Sequence, residues 1–168
     1  TKEHSGIVAS LNIGLQKCTA EYIARFDADD ISYPHRFSTQ LRYLEENLDC
    51  MAVASSAIHI DENDKPLGTV ITPKPLDQAD PTWIPGREPY LLQPFLMIRR
   101  SSLNAVNGYR LCEVAEDSDL FWRLNEIGKI VNTTDILGAY RLNPSSISSK
   151  SIINGRRMAY CSQLVSIS

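Results

Sequence analysis

The chain has 168 residues, 43% hydrophobic and 22% charged, which suits one globular domain, residues 1–168, with a real core. A net charge of −3 with no basic stripe excludes a nucleic-acid footprint. Cys18, Cys50, Cys112 and Cys161 are scattered, as are His4, His35 and His59, which argues against a zinc site or a disulfide framework and makes a reducing cytosol the default compartment.

No apolar run approaches the roughly 20 residues that span a bilayer. The first residue is not Met and no signal peptide is visible, so the sequence reads as a fragment or an excised domain. Ser5 can cap a helix to about Cys18, with Ile7, Leu11 and Leu15 on one stripe. Asn12 and Gly14 interrupt it. Gly14 costs about 1 kcal/mol against Ala inside a helix. It marks either a close approach or a tolerated glycine.

A strand, Tyr22–Phe26, then runs into Asp27, Asp29 and Asp30. Asp27 and Asp29 project from one face of extended backbone, the spacing that lets two carboxylates approach one cation. Three close carboxylates repel, and a divalent ion among them relieves that. The ends of strands are also where open α/β sheets place ligands. The plain alternative is a polar turn in which Asp30 or Ser32 caps the next helix.

That helix is predicted from near Pro34, with Phe37, Leu41, Leu44 and Leu48 as its buried stripe. Arg36 and Gln40 lie one turn apart, either reaching the Asp cluster or facing solvent. Met51–Ile60 and Leu67–Thr72 read as partner strands around the turn 61–66. Pro66 and Lys65 stand where a calcium loop needs Gly and an oxygen ligand, so that reading fails.

Pro73 to Pro89 holds five prolines and Gly86, the pattern of an irregular loop. Trp83 and Tyr90 either stack on a sugar there or anchor the loop. Phe95–Ile98 reads as a central strand. Ser101 can cap a short turn to Val106, and Asn107-Gly108 is a turn. A third helix spans Glu116 to about Ile127, with Leu120, Phe121, Leu124 and Ile127 inward.

Asp117 falls on the inward side of that helix start. The free N–H groups and the dipole favour a carboxylate there, and partial shielding suits a general base. Glu116 is one residue off that face. The alternative for both is simple capping. Asp119 and Arg123 read as a surface ion pair. Gly128–Asn132 and Ile136–Leu142 are predicted as two strands, the segment 143–150 as a Ser-rich tail, and Ile152–Val165 as a weak helix. Arg156-Arg157 is either a solvated patch or a contact to phosphate or lipid.

The order of these pieces resembles the inverting family 2 glycosyltransferases of the GT-A fold. The resemblance runs through Asn12-Ile13-Gly14-Leu15, Tyr22-Ile23-Ala24-Arg25-Phe26-Asp27-Ala28-Asp29-Asp30 and Pro34-His35-Arg36-Phe37 with Gln40. It continues through Met97-Ile98-Arg99-Arg100, Gly108-Tyr109-Arg110, Glu116-Asp117-Ser118-Asp119-Leu120 and Tyr140-Arg141. It covers about residues 5–149.

The implied fold is α/β, a GT-A-like mixed sheet flanked by helices and lacking the family's opening strand–helix–strand unit. The implied activity is transfer from a nucleoside-diphosphate sugar, expected to be a UDP-sugar, to a hydroxyl of a saccharide or lipid-linked acceptor. The implied cofactor is Mn²⁺ or Mg²⁺. By this likeness Asp29 is the direct metal ligand, Asp27 contacts the ribose or metal-bound water, and Asp30 is a secondary ligand. Asn12 and Gly14 fall on the donor side, and Asp117, with Glu116 beside it, is the base.

Asn143 stands where the family often carries His, and an amide oxygen suits a hard cation better than a transition metal. Gln93-Pro94 replaces the usual His-Pro. The expected place is the cytosol, with the inner face of a membrane left open. The rival readings are a non-catalytic sugar-nucleotide binding module and a phosphohydrolase using the same acids, for which no second ligand cluster is visible.

Overall fold

A computed structural model describes residues 6–71, 89–110 and 115–143. The proline-rich loop with Trp83, the helix expected at Ile152–Val165, and Arg156-Arg157 lie outside them. Helix α1 (Gly6–Lys17) leads to strand β1 (Tyr22–Ala24), the acidic loop, and a short strand β2 (Ile31–Ser32). Helix α2 (Arg36–Glu46) follows, then β3 (Cys50–Ile60) and β4 (Pro66–Ile71). A 3-10 turn at Gln93–Phe95 enters β5 (Leu96–Arg99), and α3 (Arg100–Ala105), α4 (Glu116–Ile127) and β6 (Lys129–Arg141) complete the described chain.

The six strands form one sheet in the order β1-β5-β3-β6-β2, with β4 also on β3. The β3–β6 pair is parallel and the others are antiparallel. The mixed sheet flanked by helices is the fold class expected from the sequence.

Alternation along the strands sorts the core into two layers. Ala52, Ala54, Leu96 and Ile98 meet Val8, Leu103, Leu120, Phe121 and Leu124, so α1, α3 and α4 cover one face. Val53 and Met97 point the other way, to Leu44 of α2. Asp61 closes the β3–β4 turn by accepting from the N–H groups of Asn63 (2.8 Å) and Lys65 (2.9 Å), a local Asx turn rather than a metal loop.

Several expectations are corrected. Neither Asp30 nor Ser32 caps α2; Ile31 and Ser32 pair instead with Ala139 and Gly138 of β6. The residue ahead of α2 is His35, with no side-chain cap. Likewise Arg99, not Ser101, precedes α3. The predicted stripe of α2 is rotated. Phe37 is 53% exposed and Leu48 78%, whereas Arg36, Gln40 and Leu44 are inward and Arg36 is wholly buried.

The cause is a need for donors at strand ends. Arg36 Nη2 donates to the carbonyls of Arg25 (2.7 Å) and Leu96 (3.3 Å), and its Nε to Gln40 Oε1 (3.0 Å). Gln40 Nε2 donates to the carbonyls of Phe95 (2.7 Å) and Val53 (3.3 Å). Buried carbonyls require partners, and here the partners are polar side chains reaching in from α2.

The two strands predicted after α4 are one, β6, whose pairing with β3 shifts register between Ala54 and Ser56. At Gly138 the chain admits no side chain: a Cβ would sit 2.1 Å from Phe95 Cε1 and 2.4 Å from the Ile31 carbonyl oxygen. That close approach lets β2 seat against β6 directly after the acidic loop.

Candidate active site

Strand β1 turns Ile23 toward the α1 side of the sheet and delivers Arg25 and Asp27 at its end. There they line a cavity of about 390 Å³ with Gly14 and Leu15 of α1, Leu103 of α3, and Tyr109. Arg25 Nη1 lies 2.5 Å from Asp27 Oδ2. Helix α4 packs on the same face of the sheet through Leu120, Phe121 and Leu124.

Tyr109 joins the two halves. It is buried, and desolvation pushes its phenol up to about 12. Asp117 and Glu116 push it further in that direction, while Arg25 and the Gln93 side chain oppose them. The Tyr109 hydroxyl therefore stays protonated at neutral pH. Asp27, Arg25 and Tyr109 line one cavity, on the side of the sheet that α4 covers.

The position of Tyr109 is fixed by its backbone. Asn12 Nδ2 donates to the Tyr109 carbonyl at 2.7 Å, and Asn12 Oδ1 accepts from the Tyr109 N–H at 3.0 Å. Both polar atoms of Asn12 are thus engaged with the chain. Gly108, with φ +66, makes this possible, because a Cβ there would meet Asn12 Oδ1 at 2.8 Å. Gly14 has open space where a Cβ would go, and no close approach occurs there.

Asp119 and Arg123 are not a surface pair. Asp119 is 2% exposed and binds Arg110 Nη2 at 2.7 Å and Arg123 Nε at 2.9 Å. Arg123 Nη1 also donates to the carbonyls of Val106 and Gly108, so this network latches the turn that carries Tyr109 to α4. Ala115, directly before α4, is left-handed at φ 71, a conformation that costs an alanine about 1–2 kcal/mol.

At the other end of the acidic loop, Arg141 of β6 donates from its Nε to the Asp29 carbonyl (2.7 Å) and from its backbone N–H to Asp30 Oδ1 (2.9 Å). The strand therefore ends against the loop, with Asn143 two residues on. Asp30 is buried, and desolvation, aided by Asp27 and Asp29 and opposed by the Arg141 N–H and Arg25, pushes its carboxyl up to about 6.

The folded pKa lies above the ordinary carboxyl value of 3.8, so folding favours the protonated acid. This contribution is fully present below about pH 4 and is lost as pH rises through about 6. Asp30→Asn keeps the acceptor for Arg141 and removes the charge. Its stability relative to wild type should climb by about 2–3 kcal/mol between pH 4 and pH 7, measured by denaturant unfolding. A pH-independent difference would refute this account.

Among the described residues no three Asp, Glu, His or Cys side chains gather as a metal cage. A hard dication does not need one: one or two carboxylates with substrate phosphates suffice. Asp27, on the cavity wall, and the exposed Asp29 offer oxygen donors of that kind, so the donor set fits Mn²⁺ or Mg²⁺ shared with a diphosphate. Asp30 is the least accessible of the three. Motif reading singled out the acids but missed Arg25 and Tyr109, although the apolar strand breaking at Arg25 and the Gly108-Tyr109 turn were both visible.

The model of the family described as "Glycosyl transferase family 2" matches residues 1–106. The chain belongs to glycosyltransferase family 2. It is 25% identical over 150 residues to the amylovoran biosynthesis glycosyltransferase AmsE of Erwinia amylovora, covering 89% of this chain and 55% of that protein. It is 30% identical over 130 residues to the putative glycosyltransferase EpsE of Bacillus subtilis, covering 76% and 45%.

A mannosyltransferase, PcManGT of Pyrobaculum calidifontis, solved with GDP-Man and Mn²⁺, superposes with a TM-score of 0.63 at 14% identity, over 97% of this chain and 50% of that one. At that identity the likeness concerns the fold. This family 2 chain spans about half the length of the curated relatives named here. No helix among its described residues is long and apolar enough to cross a membrane.

Proposed function

We propose that this chain carries the chemical part of an inverting, metal-assisted glycosyltransferase site. It would move a sugar from a nucleoside-diphosphate sugar to a hydroxyl of a saccharide or lipid-linked acceptor. The observation that supports this reading is the shared face: Asp27 lines a cavity with Arg25 and Tyr109 on the side of the sheet that α4 covers. The relative named for amylovoran biosynthesis supports a polysaccharide product.

Asp117 would take the proton of the acceptor hydroxyl as that oxygen bonds to the anomeric carbon. The bond from that carbon to the diphosphate oxygen breaks, and the nucleoside diphosphate leaves with the bonding pair. Attack opposite the leaving group inverts the centre. Asp29 and Asp27 would hold Mn²⁺ or Mg²⁺ against the diphosphate, where the ion supplies charge neutralisation. Tyr109, protonated at neutral pH, presents a neutral hydroxyl in the cavity it shares with Arg25 and Asp27.

The fold neighbour holds GDP-Man and the motif likeness pointed to UDP, so both nucleotides are the probes. Calorimetric titration of the protein with UDP or GDP and Mn²⁺ should give micromolar binding to one of them, abolished by chelation. Absence of binding to either would remove the donor-site reading. Binding without turnover of the corresponding sugar nucleotides would favour a donor-binding module over an enzyme.

A further inference from the structure

The acidic loop is held from below by a residue the reaction itself does not use. Arg36 is wholly buried on the inward side of α2. Its guanidinium lies among three phenyl rings, 5.6 Å from the centroid of Phe26, 5.5 Å from Phe37 and 5.1 Å from Phe95. Phe26 is the residue immediately before Asp27, and Arg36 Nη2 binds the carbonyl of Arg25 just ahead of it. Two successive residues at the loop's entrance are thus fixed by one side chain.

The loop's exit meets the same residue by charge. Asp30 is the acid whose field favours the charged form of Arg36. Asp30 Oδ2 and Arg36 Nη1 are both buried and have no hydrogen-bond partner among the described residues. A buried donor and a buried acceptor left over on opposite charges favour one another strongly where water is excluded. The other Asp30 oxygen is held by the Arg141 N–H at 2.9 Å.

We propose that Arg36 is the positioning residue of the acidic loop, fixing its entrance at Arg25-Phe26 and its exit at Asp30, so that Asp27 and Asp29 are presented in one geometry. Gln40 completes the device. It accepts from Arg36 and ties it to the 3-10 turn ahead of β5 and to β3 through the carbonyls of Phe95 and Val53. The consequence for donor binding rests on the transferase reading above; the anchoring itself does not.

Amide hydrogen exchange on the whole protein tests the anchoring. Arg36→Lys keeps a cation but loses the fork that reaches two carbonyls and Gln40 at once. The N–H groups of Asp30 and Arg141 should exchange at least about 10-fold faster in that variant than any change shared by the α4 amides. Leu44→Ala, a buried change on the same helix face, should alter the loop and α4 amides alike. Equal effects in both variants would overturn the proposal.

Should Arg36→Lys not fold, the guanidinium resonances of Arg36 in wild type and in Asp30→Asn decide instead. A clear shift of the Nη signals supports the link to the loop's exit, and unchanged signals overturn it. As a separate readout, Arg36→Lys should weaken Mn²⁺–nucleotide binding at least about 10-fold while Leu44→Ala leaves it unchanged. A wild-type protein that binds no nucleotide would defeat the transferase reading, and the exchange result would still decide the anchoring.

Discussion

Asp119→Ala should lower the unfolding free energy by about 3–5 kcal/mol, because it strands a buried arginine that the fold has already desolvated. The Arg123 side chain is 11% exposed and the Asp119 side chain 3%, and both Arg110 and Arg123 converge on that one carboxylate. Removing the acid leaves the Arg123 cation beside the Val106 and Gly108 carbonyls with no opposing charge.

For a chain of this length the loss corresponds to a fall in Tm of about 6–20 °C, read by calorimetry. Asp119→Asn, which keeps an accepting oxygen, should fall between the two. Asp49→Ala removes a pair whose side chains are 59% and 72% exposed, and it should leave Tm within experimental scatter. If the two alanine variants melted together, the buried network would not be holding the Tyr109 turn.

The contrast between these pairs explains what could be read from the residue order. Helix α4 was legible to its ends: Glu116, Asp117 and Asp119 mark the first turn, Leu120, Phe121 and Leu124 keep helical spacing, and Gly128 stops it. The sequence distance between Asp119 and Arg123 was equally plain. That the pair is buried was not, because Arg110 arrives from another segment and the two carbonyls from a turn.

Helix α2 misled for a related reason. A hydrophobic pattern counts apolar side chains, but Arg36 and Gln40 are drawn inward by the carbonyls of Arg25, Phe95, Leu96 and Val53, which only the assembled sheet brings together. Phe37 is displaced outward as a result. In β6 the polar stretch Asn132–Asp135 looked like a break. It is the more exposed middle of one strand, carried past a register shift by continued pairing with β3.

The acidic loop and the acidic helix start were both visible as motifs, about 90 positions apart in the chain. What no spacing could supply was the connection between them. Arg25, just past β1, and Tyr109, a turn residue set by Asn12 and Gly108, line one cavity on the face that α4 covers.

That connection gives the largest functional prediction. Asp117→Asn should lower the transfer rate by about 10²–10⁴-fold while the Kd for nucleotide and Mn²⁺ stays within about 2-fold of wild type. The substitution preserves shape and removes only the ability to take a proton. In the proposed reading, metal and diphosphate would be met by Asp27 and Asp29 of the acidic loop, which the change does not touch.

Glu116→Gln, at the neighbouring half-buried position of α4, serves as the internal comparison and should cost less than 10-fold. Both variants keep the helix start polar, so far-UV circular dichroism and Tm should match wild type. Transfer is followed by nucleoside diphosphate release and by the anomeric configuration of the product. An Asp117→Asn protein that turns over normally would move the base to Glu116 or off α4 altogether. A variant that loses nucleotide binding together with turnover would show that α4 shapes the donor site instead, since a proton acceptor is needed only once the donor is already bound.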